Sequence, residues 1–389
     1  MKFFRLLLVP PAFICVFIVR LLARFGIIIR FGEFISARMG HLAGNTECYL
    51  CEKDKDKQKY YDIWTHSGPP ASKQLEKMIS RVVFIDRTGI SRFVSLCNSL
   101  LTGNEKHSAD SSQMDRDIYN LFEKYPPHLS FTREEVNQGE IGLRRLGIPP
   151  GAKWVYLIVR DAAKHPQLPY HSYRNADIKN YAPAAQYLAD RGYYVIRVGA
   201  KVLHPFPIKH PRIIDLSSME PYDDFMSVFL GAKCEFCIST STGPDAIPYI
   251  FRRPIVYTDF APVEYLFTFS PMSLAIWKHH EKDGKRMTFQ EIIDSKAGHF
   301  MATEQFERAG ITLIPNTPAE ILEVVSEMAD AVEEVRSMRN YMLGVRNVGL
   351  EAQEKFWDKF PKSNSMYNDK PLHGEIRMRI GSEFLKGYQ

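Results

Sequence analysis

From Lys153 onward the chain alternates short apolar runs with amphipathic stretches, and few folds accommodate that alternation. Lys153-Trp-Val-Tyr-Leu-Ile-Val159 is apolar on every position after the first. A strand without polar alternation is covered on both faces, as in the centre of a parallel sheet. Asn175–Arg191 places Ile178, Tyr181, Ala185 and Leu188 at helical spacing before Gly192, which stops the helix. Tyr193–Val198 and Arg212–Leu216 read as the next strands, Tyr222–Lys233 as a helix, and Glu235–Ser239 and Pro254–Tyr257 as two further strands. Pro318–Ser337 is a later helix. Strand and helix in turn, joined by right-handed crossovers, give a doubly wound parallel sheet in an α/β protein.

The first half is read less directly. Tyr49–Glu52 and Tyr61–Thr65 read as strands around the lysine-rich loop at 53–57, Ser72–Ser80 as a helix, Arg81–Asp86 as a buried strand and Phe93–Leu101 as a helix. Thr102–Gln113 is a polar surface loop. Thr132-Arg-Glu-Glu135 is a capping box that opens a helix ending near Gly147. Ile148-Pro-Pro-Gly151 then breaks the chain, and 389 residues suit two domains. The expected division is a basic apolar segment at 1–40, a first domain at 41–150, a second at 151–361 and a tail at 362–389. The tail is irregular apart from an apolar cluster at Ile380–Leu385.

The formal charge of +5 is confined to residues 1–40, where Lys2, Arg5, Arg20, Arg24, Arg30 and Arg38 face one acid, Glu33. The remainder is neutral, which argues against a nucleic-acid partner, because binding phosphates takes a basic stripe. Leu6–Val19 is an unbroken apolar run, short of the ~20 residues a spanning helix needs. Extending it to Phe31 would bring Arg20, Arg24 and Arg30 into hydrocarbon at ~3 kcal/mol each. The favoured reading is an amphipathic membrane-associating helix with Arg20 and Arg24 on one side and Leu21, Leu22, Phe25, Ile28 and Ile29 on the other. No signal-peptide cleavage site follows the run; a tilted single-pass anchor and a buried helix with snorkelling arginines are the competing readings.

The six cysteines include Cys48-x-x-Cys51 and Cys234-x-x-Cys237, a four-thiolate zinc count. Both pairs lie in apolar stretches read as strands, where positions i and i+3 point to opposite faces, so buried thiols are favoured over a metal site. Unpaired thiols suit a reducing compartment.

Ligands of an open parallel sheet bind at the carboxyl ends of its strands. Those ends carry Arg160 and Asp161, then His165 to Arg174 with His171, then Asn175; Arg197 and Gly199; Ser239, Thr240, Ser241, Thr242, Gly243 and Pro244; and Asp259. Hydroxyls before a helix opened by Pro244 suit a diphosphate, with amides and dipole added. Arg160, Arg174 and His171 add positive charge to such a site. Asp161 and His171 are the candidate bases, with His165 behind them. Neither GxGxxG nor GxxxxGK[ST] occurs. Asp54-x-Asp56 and Asp115-x-Asp117 match D-x-D but sit in charged loops and read as solvated surface.

At these residues the chain resembles a family of glycosyltransferases from bacterial surface-polysaccharide gene clusters, with a GT-B-like architecture of two Rossmann-like domains. The likeness rests on Phe131-Thr-Arg-Glu-Glu135, Arg160-Asp161, Tyr170-His171-x-x-Arg174-Asn175-x-Asp177-Ile178 and Val195-Ile-Arg197-Val-Gly199. It continues in Ile213-Ile-Asp215, Thr242-Gly243-Pro244, Ile314-x-Asn316-Thr-x-x-Glu320-Ile321 and Ile380-Gly381-Ser-x-Phe384-Leu385. It implies transfer of a sugar from a nucleotide-activated donor to a lipid-linked or glycan acceptor, at the cytoplasmic face of the inner membrane. No cofactor or metal is implied. Arg160, Arg174 and Ser239–Gly243 would hold the diphosphate, while Asn175, Arg197, Gly199 and Asp259 would line the donor. The Glu-x7-Glu pair of many retaining relatives is not apparent. A nucleotide-sugar epimerase or hydrolase, and a scaffold of an assembly complex without turnover, are the alternatives.

Overall fold

The computed structural model describes residues 9–56, 58–111, 116–163, 167–219, 223–270, 272–337, 350–361, 371 and 373–388. It has two units, both α/β with parallel sheets: Met1–Arg116 with Leu121–Phe131, and Asp117–Asn120 with Thr132–Gln389.

The first unit begins with helix α1 (Val9–Ala23) and strand β1 (Ile28–Phe34). Then come α2 (Met39–Lys55), β2 (Tyr60–His66), α3 (Lys73–Ile79), β3 (Phe84–Ile85), α4 (Ile90–Ser99) and β4 (Ser108–Ala109). The sheet order is β3-β2-β1-β4, all parallel, with β1 and β2 in register from Ile28↔Tyr60 to Phe34↔His66. Ala12, Val16 and Val19 of α1 pack on Val94 and Cys97 of α4 and on Phe31. At the end of β1, the ring of Phe34 stacks on that of Trp64 of β2 at 4.0 Å, and Tyr49 meets Trp64 edge-on.

Three expectations are corrected here. First, the N-terminal helix does not continue through Ile29. Gly26 adopts φ +83°, and the amides of Gly26 and Ile27 return to the carbonyls of Ala23 and Leu22 (3.3 and 3.2 Å), a Schellman stop. The Arg/apolar sidedness therefore does not form. Arg20 donates to Asn98 Oδ1 (3.0 and 2.9 Å) and the Thr102 carbonyl (2.9 Å). Arg30 lies on β1 and pairs with the buried Asp62 at 2.6 Å. No described helix is long and apolar enough to cross a membrane. Second, residues 9–40 are not a separate appendage, because β1 is an inner strand of the sheet, and residues 1–8 lie outside the described residues. Third, Cys48 and Cys51 ride on α2 rather than on a strand. Polar residues such as Asn45, Thr46 and Glu47 are buried there, which hides the helical period of the apolar ones.

In the second unit, α5 (Arg133–Arg145) opens at the Thr132–Glu135 capping box and β5 is Trp154–Ile158. They are followed by α6 (Ala182–Asp190), β6 (Tyr194–Arg197), β7 (Ile213–Asp215), α7 (Asp224–Lys233), β8 (Phe236–Ser239), α8 (Ala246–Ile250) and β9 (Ile255–Phe260). Next come β10 (Ser273–Trp277), β11 (His279–Lys282), β12 (Lys285–Arg286), α9 (Phe289–Asp294), α10 (Thr303–Arg308), β13 (Ile311–Ile314) and α11 (Pro318–Ser337). The chain ends with α12 (Leu350–Asp358), β14 (Arg379–Ile380) and α13 (Ser382–Lys386). The main sheet runs β14-β10-β9-β8-β5-β6-β7, parallel throughout, and β12-β11-β13 form a small antiparallel sheet. Counted from β5, the first six strands follow the order 3-2-1-4-5-6, so the winding reverses between β5 and β8.

The expected boundary at residue 150 moves to Phe131/Thr132. Helix α5 joins the second unit because Gly139 and Gly142 let it lie on α7; a Cβ at Gly139 would come within 2.3 Å of the Phe229 ring. The tail is likewise no separate segment: β14 extends the sheet beside β10, and Phe384 and Leu385 are buried. Residues 362–370 of that tail lie outside the described residues. The predicted helix over 175–191 is a 3-10 turn (Ile178–Tyr181) followed by α6, since Pro183 fits only the first helical turn.

Candidate functional site

A sheet with this order opens its ligand position between the carboxyl ends of β5 and β8. Ile158 of β5 is in register with Ser239 of β8. Arg160 leaves β5 there, its amide donating to Thr240 Oγ1 (2.9 Å). The loop returns as a 3-10 turn, Pro169–Arg174, and the Ala176 amide bonds the Arg160 carbonyl at 2.9 Å. Arg174 then donates to the Ser241 carbonyl.

Arg160 and Arg174 are thus brought together, and neither forms an ion pair with a carboxylate among the described residues. Burial and then the neighbouring charge of Arg174 hold the Arg160 guanidinium below its usual basicity. Its Nε is buried with no hydrogen-bond partner among the described residues. Two cations that repel each other at a sheet's switch point, one with an unused donor, are chemically suited to a multiply charged anion.

Two supports of this loop have no sequence signature. Lys278, directly after β10 and nearly fully buried, donates Nζ to the carbonyls of Tyr173 (3.0 Å) and Asn175 (2.5 Å). Thr303 Oγ1 accepts from the Tyr173 amide (3.1 Å) and donates to the Tyr170 carbonyl (3.0 Å). Lys278 therefore fixes the peptides on both sides of Arg174. Burial lowers its pKa, opposed by the charge of Asp259. Replacing it, as Lys278→Met, is expected to leave the secondary structure intact but weaken binding of a multiply charged anion, with pyrophosphate as the probe, about tenfold. Calorimetric titration checks this; unchanged affinity would show that the loop holds itself.

The other residues singled out from sequence separate into roles. Ser239 Oγ donates to Asp245 Oδ2 (2.8 Å) and accepts from the Ser241 amide (3.1 Å), and the Thr242 amide also bonds Asp245 Oδ2 (2.8 Å). Burial raises the Asp245 pKa to about 6 despite these bonds. The hydroxyls of Ser239 and Thr240 are therefore spent inside the loop. The helix behind Gly243 is a single 3-10 turn followed by the five residues of α8, too short for much of a dipole. Ser239 Oγ is thus held inside the segment, whereas Thr242 Oγ1 is buried with no hydrogen-bond partner among the described residues. Ser241 takes φ +59°, which aims its carbonyl at Arg174.

Arg197 and Asp259 are also held by partners within the fold. Arg197 is buried, donating to the His204 carbonyl (2.7 Å) and Asp215 (3.3 Å), so it braces the loop after β6, which begins near Gly199. Asp259 exchanges bonds with Asn316 (2.6 and 2.7 Å) and accepts from Tyr181 (2.9 Å), a buried latch between β9 and the segment leading into α11. Burial raises its pKa, partly offset by Lys278. Asp161 accepts from the amides of Ala163 (2.9 Å) and Leu203 (2.8 Å) and staples two loops, which disfavours it as a base. His171 shares the 3-10 turn with Arg174 at i, i+3, on the same face. His165 lies outside the described residues, as does Asp115 of the second D-x-D. Asp54 of the first bonds His128 at 3.0 Å.

The fold is that of an α/β protein with a doubly wound parallel sheet, and its switch point carries two neighbouring arginines, Arg160 and Arg174. No family model matches the chain, and no curated protein matches it. Solved structures with some likeness include ADP-heptose LPS heptosyltransferase II of E. coli, 14% identical over 79% of this chain and 99% of that one, with TM-score 0.44. Others are the family 9 glycosyl transferase of Veillonella parvula (11%, 64% and 85%, TM-score 0.41) and the iron-containing dodecameric glycosyltransferase TibC of enterotoxigenic E. coli (13%, 80% and 77%, TM-score 0.39). At these scores the likeness settles neither relationship nor activity.

Proposed function

We propose that this chain is a glycosyltransferase that takes a sugar from a nucleotide-activated donor. The observation that carries the reading is the Arg160/Arg174 pair without a carboxylate partner at the β5/β8 switch point. In the transfer, the bond between the anomeric carbon and the donor phosphate breaks, and an acceptor oxygen takes the carbon while losing its proton. The departing diphosphate gathers charge, and two fixed guanidiniums meet it without a metal ion or cofactor. His171, on the face it shares with Arg174, takes the acceptor proton. Asn175 and Gly199 line the donor, and Gly243 and Thr242 border the phosphates.

The acceptor is a lipid-linked or growing glycan of surface-polysaccharide synthesis, at the cytoplasmic face of the inner membrane. What supports that part is α1: Ile14, Phe17 and Ile18 on its outer side are 62%, 68% and 48% exposed. Such a surface is costly in water and fits a peripheral, monotopic contact with lipid.

Thermal unfolding with a panel of nucleotides tests the donor reading. A nucleoside diphosphate at a hundred times its Kd stabilises by about 2.7 kcal/mol. For a unit of this size the expected rise in Tm is about 5–10 °C. Absence of protection by every nucleoside mono- and diphosphate would overturn it.

A further inference from the structure

The first unit holds a second cluster of reactive groups, independent of the donor site. Glu47 and Cys51 stand one turn apart on α2 and are fully buried, and His128 approaches them from the segment that closes the unit. Glu47 Oε1 lies 3.1 Å from His128 Nδ1 and 3.8 Å from Cys51 Sγ, and Sγ lies 4.0 Å from Nδ1. All three donor atoms fall within 4.8 Å of one another. Around a tetrahedral zinc ion, with bonds of about 2.0 Å to oxygen or nitrogen and about 2.3 Å to sulfur, such atoms are about 3.3–3.6 Å apart. The observed triangle departs from this by less than about half an ångström per edge, within reach of small side-chain rotations.

A separate contact points the same way. The other ring nitrogen of His128, Nε2, lies 3.0 Å from Asp54 Oδ2, one turn beyond Cys51 on α2. A carboxylate on the far nitrogen is what orients a metal-binding imidazole, because it holds the proton there and turns the Nδ1 lone pair inward. Glu47 is anchored too, its Oε1 and Oε2 both accepting from the His128 amide (3.3 and 3.4 Å).

We infer that Glu47 Oε1, Cys51 Sγ and His128 Nδ1 bind one divalent cation of the zinc class, with Asp54 as the positioning carboxylate on Nε2. A mixed oxygen, sulfur and nitrogen set selects zinc over magnesium or calcium, which take oxygen ligands. Binding releases to solvent both the Cys51 proton and the proton that His128 Nδ1 gives to Glu47, and joins α2 to the chain at His128. The role is structural, within one unit.

The test uses the full chain, titrated with zinc and separately with cobalt(II). The expected result is one equivalent bound, and for cobalt a near-ultraviolet thiolate-to-metal charge-transfer band. Cys51→Ser removes the band, whereas Cys48→Ser, whose thiol is not among the three donor atoms, keeps it. Asp54 is half exposed, so Asp54→Asn leaves the core untouched while weakening zinc binding about tenfold or more. Wild-type protein that binds no zinc and gives no cobalt–thiolate band overturns the inference. A band that survives Cys51→Ser, or zinc affinity unchanged in Asp54→Asn, does the same.

Discussion

Arg174→Ala is expected to lower kcat/KM for sugar transfer by about a thousandfold with little net change in the stability of the folded protein. The loss follows from charge. A guanidinium bonded to a diphosphate that gathers charge in the transition state acts in a partly buried place, and its removal costs roughly 3–4 kcal/mol. Stability changes little because two effects oppose. Arg160, held below its usual basicity by burial and then by the charge of Arg174, is relieved. The bond to the Ser241 carbonyl and the positive charge facing Asp245 are lost. Few substitutions in a binding loop pair a large functional loss with little change in stability, so the pair of measurements is diagnostic. Arg174→Lys restores charge but not the planar fork, and only a fraction of the activity should return. Transfer by Arg174→Ala at the wild-type rate would exclude the residue from the site.

Where burial is two-sided, the sequence is easy to read. Strands β5, β6, β8 and β9 were each visible as apolar runs, because a central parallel strand has no solvent face to interrupt it. The same logic misleads at the N-terminus. The apolar letters continue from α1 into β1, and only Gly26 marks the change from helix to strand. Strand β10, Ser273-Leu-Ala-Ile-Trp277, is equally apolar and buried, but lies after a long irregular stretch that offers no helix to frame it. On α2, buried Asn45, Thr46 and Glu47 mimic a solvated face, so the helix passed for a strand.

The site divides in the same way. That Arg160 and Arg174 lie at the carboxyl end of β5 is legible, because the strand before them is a clear apolar run. Their surroundings are not. Whether Arg197 meets a ligand or Asp215 depends on a partner eighteen residues away that the letters do not pair with it. Lys278 reads as one more surface lysine, and only the fold places it beneath the peptides that flank Arg174. The stretch Ile314-x-Asn316 drew notice through resemblance, and its part is now physical: Asn316 binds Asp259 on both backbone and side chain.

The membrane contact demands a different test from removal of the basic segment, because deleting residues 1–40 would take β1 from between β2 and β4 and unfold the first unit. The surface to change is the outer side of α1. Ala12, Val16 and Val19 face α4, while Ile14, Phe17, Ile18 and Leu21 face outward, and Arg24 follows them on the exposed turn. Burying a large apolar side chain is worth about 1.5–3 kcal/mol. The double substitution Ile14→Glu with Phe17→Glu removes two such groups and adds two negative charges opposite an anionic surface. Binding to vesicles containing anionic lipid should therefore weaken at least a hundredfold in sedimentation, with Tm unchanged because neither side chain is in the core. Arg24→Gln should weaken it only severalfold, more at low salt than at high, since one exposed cation near such a surface contributes about 1 kcal/mol. Unaltered vesicle binding by the double variant would remove lipid as the occupant of this face, and with it the reason for placing the acceptor on a membrane.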